Sequence, residues 1–127
     1  MVLSFIIIAV VVAAVFLSTP NPQFFVTIHV YSASTEYTSL ADLPSSELVP
    51  NATVTLSGPQ SLGPETTPTG ILAITNQIPG GTYTITAEKP GYVRSSTTFV
   101  VGADCPNKQV LTNGSIVCHA LVRIIGQ

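Results

Sequence analysis

Charge is what this 127-residue chain has least of: six acidic and four basic side chains, 8% of its residues, where a soluble domain ordinarily spends about a quarter. Four scattered Lys and Arg cannot form the basic stripe that neutralises phosphates, so with a net charge of −2 a nucleic-acid partner is excluded. Tryptophan is absent, methionine occurs once, and the only histidines are His29 and His119. They lie in strand-like stretches far apart in sequence and read as surface or partly buried strand residues. No serine sits in a nucleophile elbow. Gly80-Gly81 leads into a strand pattern, whereas a phosphate loop must open a helix so that its amides point at the anion. The chain therefore reads as non-enzymatic, with no catalytic, cofactor-binding or metal-ligating set.

What replaces charge is hydroxyl. Ser and Thr number 28, so the polar surface is built from neutral groups, as suits an exported protein that draws solubility from hydroxyls or attached sugar. Two cysteines, Cys105 and Cys118, fit the same compartment as a disulfide. A metal site with the adjacent His119 is the weaker reading, because Cys118 and His119 are consecutive in a strand and point to opposite faces. Asn51-Ala-Thr53 and Asn113-Gly-Ser115 match the N-glycosylation sequon and fall at turns, which makes Asn51 and Asn113 the candidate acceptors. The hydroxyl-rich stretches 32–39 and 61–69 read as solvated loops or O-glycan sites.

Before Glu36 no side chain is formally charged, and residues 1–17 (MVLSFIIIAVVVAAVFL) are apolar except for Ser4 and the terminal Met is followed directly by aliphatics. As a helix this run rises roughly 26 Å, slightly short of a bilayer core of about 30 Å. A secretory signal peptide lacks its basic n-region here, and its best small-x-small site, Val12-Ala13-Ala14, is poor. A membrane anchor lacks flanking charge to orient it. The third reading is a polymerisation helix, with Val2, Leu3, Phe5, Ile6, Ile7, Ile8, Val10, Val11, Val12, Val15, Phe16 and Leu17 buried between subunits. The abundance of Ile and Val also gives the segment high β propensity, so it reads alternatively as a donor strand completing a neighbour's sheet.

Pro20 and Pro22 stiffen the linker 18–23, and from Phe24 the period changes to two. Phe24, Val26, Ile28 and Val30 alternate with Phe25, Thr27, His29 and Tyr31. Further strands are expected over 52–57, 71–75, 82–88, 93–101, 108–112 and 116–125, separated by Gly- and Pro-containing turns. Gly63-Pro64 and Asn113-Gly114 are among those turns. The connection 32–51 is polar, carries three of the six acids and reads as a surface loop. The expected fold class is mainly β: an N-terminal hydrophobic α-helix (1–17), a linker (18–23) and a seven-stranded immunoglobulin-like, transthyretin-like β-sandwich (24–127).

Two resemblances sharpen this. Residues 1–17, uncharged and aliphatic without a basic leader, resemble the N-terminus of a mature type IV pilin, whose helices pack into a filament core. The glutamate that bacterial pilins carry near the start is missing, with Phe5 in the fifth place, while archaeal pilins and archaellins commonly lack it; the resemblance is to the archaeal form. Residues 49–101, through Pro79-Gly-Gly-Thr-Tyr-Thr-Ile-Thr-Ala87 and Lys89-Pro-Gly-Tyr92, resemble the carboxypeptidase regulatory-like domain, a transthyretin-like sandwich also seen in Cna-B-type repeats. The family's usual glycine before the first apolar strand is Asn51 here.

The resemblances imply a structural, non-catalytic module in an extracellular, cell-surface filament that serves surface adhesion. Its partners are copies of itself, in a helical homopolymer, and the membrane during assembly. Some Cna-B-type domains hold Lys–Asn isopeptide bonds; Lys89 at a turn and Lys108 near a cysteine do not read as buried, so none is expected. The rival reading is a tethered or secreted sandwich that recognises a sugar or a protein.

Overall fold

A computed structural model describes residues 23–127; the expected helix or donor strand over 1–17 lies outside the described residues. The body is mainly β. Its strands are β1 (Phe24–Tyr31), β2 (Ala52–Ser57), β3 (Leu62–Thr67), β4 (Ile71–Ala73), β5 (Gly81–Glu88), β6 (Tyr92–Val93), β7 (Ser95–Val101), β8 (Gln109–Val110), β9 (Ile116–Arg123) and β10 (Ile125–Gly126). One four-stranded sheet runs β4-β1-β9-β8, a second runs β3-β2-β5-β7, and β10 pairs with β6.

Period-two patterning explains which side of each strand is buried. Val26, Ile28 and Val30 of β1 turn inward beside Cys118, Ala120 and Val122 of β9, its parallel partner in register from Phe24↔Ile116 to Tyr31↔Arg123. From the other sheet come Ala52, Val54 and Leu56 of β2 and Tyr83, Ile85 and Ala87 of β5, all at most 1% exposed. The two inner faces belong to one apolar cluster. Each fully buried aliphatic or aromatic side chain in it is worth about 1.5–3 kcal/mol of transfer free energy.

Ten strands are present among the described residues where seven were expected. The expected 93–101 and 116–125 strands are each divided. Ile124, fully buried, separates β9 from β10 and donates its N–H to Tyr31 O at 2.8 Å. The larger correction is β3, which occupies the hydroxyl-rich stretch read as a loop and contains the Gly63-Pro64 pair read as a turn. Proline lacks an N–H and is tolerated in a sheet at an edge or a bulge. Here Pro64 has both: β3 is the outer strand, and its register with β2 shifts between Val54 and Leu56. Gly63 sits there at φ +94°, where a Cβ would lie 2.7 Å from the Val54 carbonyl oxygen.

The connection 32–51 is a surface loop, as expected, with two short 3-10 turns at Leu40–Asp42 and Ser45–Glu47 that bury nothing. It is tied down by specific polar contacts. Tyr37 N–H donates to Tyr31 Oη (2.8 Å), Leu40 N–H to Asn107 Oδ1 (2.8 Å), and Arg123 Nε to Ala33 O (2.9 Å). Among the described residues no helix is long and apolar enough to cross a membrane.

Candidate functional site

The cysteines meet. Cys118, fully buried on the inner face of β9, is bridged to Cys105 in the loop after β7, with Cα atoms 5.8 Å apart. The bond ties the β7–β8 connection to β9. Closing a loop with a sequence separation of 13 stabilises by roughly 3 kcal/mol in the chain-entropy model. Replacing both cysteines by serine should therefore lower the urea-unfolding free energy by about that amount; an unchanged midpoint would show that the loop is already held by its other contacts.

Both sequon asparagines are exposed at turns. Asn51 has φ +62° just before β2, with its N–H on Thr67 O. Asn113 lies in the β8–β9 hairpin, where Gly114 N–H closes the turn on Leu111 O (2.9 Å) and Asn113 Oδ1 accepts the Ser115 N–H (3.0 Å). Lys89 is partly exposed and donates to Pro50 O at 2.6 Å. The residues singled out for polymerisation, Val2 to Leu17, lie outside the described residues.

The histidines, far apart in the chain, are neighbours in space. Parallel pairing of β1 with β9 sets Thr27 opposite His119 and His29 opposite Leu121, so both rings rise from the outer face as a diagonal pair. His29 Nε2 and His119 Nδ1 are 3.0 Å apart, and His119 Nε2 lies 3.2 Å from Gln109 Oε1 of β8. The carbonyl oxygen of Gln109 only accepts, so His119 carries its proton on Nε2 and takes the His29 Nε2–H on its bare Nδ1. This chain of bonds requires His119 to be neutral. Burial, and then the charge of His119, push the His29 pKa from 6.5 down to about 4; burial also lowers that of His119. Among the described residues no group of three His, Cys, Asp or Glu could hold a metal. The pair escaped sequence reasoning because its signal, one histidine on the same phase of each strand, has meaning only once β1 and β9 are known to be neighbours.

A groove was also missed. Between the outer strands β3 and β4 of the two large sheets lies a cavity of about 230 Å³. It is lined by Leu62 and Glu65 of β3, Leu72 and Ala73 of β4, and the residues Ile74, Thr75 and Asn76 that follow, and its floor is made of Ile28, Val54 and Leu56. Val30 N–H bonds Gly70 O and Ile74 N–H bonds Val26 O, so the even positions of this segment face β1. By the alternation of an antiparallel ladder, the backbone groups of Ile71, Ala73 and Thr75 face the open side. No protein-family model matches the chain, and no curated protein matches it.

Proposed function

We propose that this chain is the structural subunit of an extracellular filament, joined to its copies through residues 1–17, with its β body facing solvent and available for surface adhesion. One observation carries the reading: a run of seventeen residues, apolar but for Ser4, is attached to a body that fills a core from its own strands. Such a run must be buried against something other than water. The type IV pilus-like, archaeal form buries it as a helix bundle at the filament axis. The donor-strand form buries it in a neighbour's sheets, and the groove between β3 and β4 favours that second form.

For the body we propose the immunoglobulin-like, transthyretin-like sandwich. Two four-stranded sheets contribute to one apolar cluster. Tyr83 reaches back from β5 to donate its hydroxyl to Pro79 O at 2.6 Å, in the manner of a tyrosine corner. Gly81 (φ +146°) and Gly91 (φ +89°) provide the turns expected of the PGG and KPG sequences.

Negative-stain microscopy of natively produced protein tests the filament reading, and intact mass tests whether residues 1–17 are retained. Fibres built from a chain that keeps the segment support it. A monodisperse particle lacking the segment instead supports the rival, an exported binding module.

We further expect sugar on Asn51 or Asn113 in native material, since both acceptors are exposed at turns of a surface poor in charge. Glycopeptide mapping decides this, and bare asparagines at both positions would refute it while leaving the filament reading intact.

A further inference from the structure

We propose that the groove between β3 and β4 receives an extended stretch of residues 1–17 from a second copy of this chain, added as a strand along the free edge of β4. The inference rests on the filament reading and specifies how that segment joins two copies. An added strand needs unpaired backbone groups and sockets for alternate side chains. The first are the N–H and C=O groups of Ile71, Ala73 and Thr75 on the open side of β4, which pair with no other strand among the described residues. The second is the cavity of about 230 Å³ floored by Ile28, Val54 and Leu56, larger than the roughly 150 Å³ apolar cavity that accepts a benzene molecule. It has room for more than one aliphatic side chain. The segment 5–12 (FIIIAVVV) offers such side chains at every second position, with Ile6, Ile8, Val10 and Val12 on one face of an extended strand.

The filament reading, rather than reach, separates a neighbour's segment from the chain's own. β4 runs antiparallel to β1, so a strand antiparallel to β4 runs parallel to β1 and ends level with His29. Returning from there to Gln23 at the start of β1 requires about 20 Å along the sheet and two strand spacings of about 4.8 Å across it. With residues 5–12 in the groove, residues 13–22 fully extended cover about 33 Å, enough for that path, so reach alone does not keep the chain's own segment out. A segment that joins copies, as the filament reading requires, enters the groove of a second copy.

Disulfide trapping in the full-length chain tests this. Thr75 is exposed at the rim of the groove; T75C is combined in turn with single cysteines replacing residues 5 to 12, and filaments are oxidised and run on non-reducing gels. The expected result is a reducible ladder of covalent oligomers whose yield peaks at alternate positions of the segment. Peaks at every third or fourth position would show a helix against the groove and overturn the strand. A cross-linked monomer would show that the chain's own segment fills it and overturn the second copy. No trapping in variants that still form filaments would overturn the groove and leave the filament reading standing. Absence of filaments from the unmodified chain would remove both.

Discussion

Without residues 2–17 the protein is expected to be a soluble monomer that forms no fibres. Fifteen of those sixteen residues are apolar, twelve of them larger than alanine, and at about 2 kcal/mol for each of the twelve their removal from water is worth roughly 24 kcal/mol as an upper bound. The cost of associating two chains is roughly 4–15 kcal/mol, so this segment alone has enough driving force to hold copies together. The body supplies no equivalent. Its large exposed apolar residues, Val93, Val100, Val110, Leu111 and Ile125, are few, and its outer strand β3 presents Pro64 and Glu65, residues that discourage edge-to-edge pairing. Sedimentation and negative stain of the truncated chain check the expectation. A single Val10→Asp substitution in the full chain should act in the same direction, because a carboxylate in an apolar interface is strongly disfavoured. Fibres from the truncated protein would mean that the body's own edges join the copies and that residues 1–17 serve another purpose.

What was legible in the sequence follows from where burial imposes a period. β1, β2, β5 and β9 alternate between a core and an outer face, so their positions were readable to within a residue or two, and the Pro79-Gly80-Gly81 and Pro90-Gly91 turns fell where expected. β3 was not legible because it is an edge strand: LGPETT buries only Thr67, leaving no apolar alternation, and its proline and glycine are turn signals everywhere except at a bulged edge. The disulfide was readable from cysteine count and compartment, and its partners had no competitors. The histidine pair and the groove were not, since both depend on which strands lie side by side. Parallel pairing of β1 with β9, which are far apart in the chain, leaves no local trace, and neither does the juxtaposition of β3 and β4 from different sheets.

The histidine pair should make the body sensitive to acid in a window set by its own chemistry. His29 is 7% exposed, and its pKa in the folded protein, about 4, lies below the 6.5 of an unfolded chain. Between those values the unfolded state binds the proton and the folded state does not, so stability is intact above pH 6.5, falls as pH drops, and levels off below about 4. The gap corresponds to roughly 3 kcal/mol, or about 10 °C in Tm for a domain of this size. The lowered pKa of His119 acts in the same direction. Among the described residues these four strands bring no carboxylate to offset the charge: β1 brings Phe25, Thr27 and Tyr31 to this face, β9 brings Val117, Leu121 and Arg123, β4 brings Ile71 and Ala73, and β8 brings Gln109. A first proton is compatible with the His29 to His119 bond, but a second sets two N–H donors head to head across 3.0 Å. Thermal unfolding followed from pH 7.5 to 4 should thus show the native protein losing about 10 °C more than a His29→Gln variant, whose amide still donates to His119 Nδ1 but cannot take up a proton. Parallel losses in the two proteins would assign the acid sensitivity to groups elsewhere and leave the histidine pair as an ordinary contact on the outer face of the sheet.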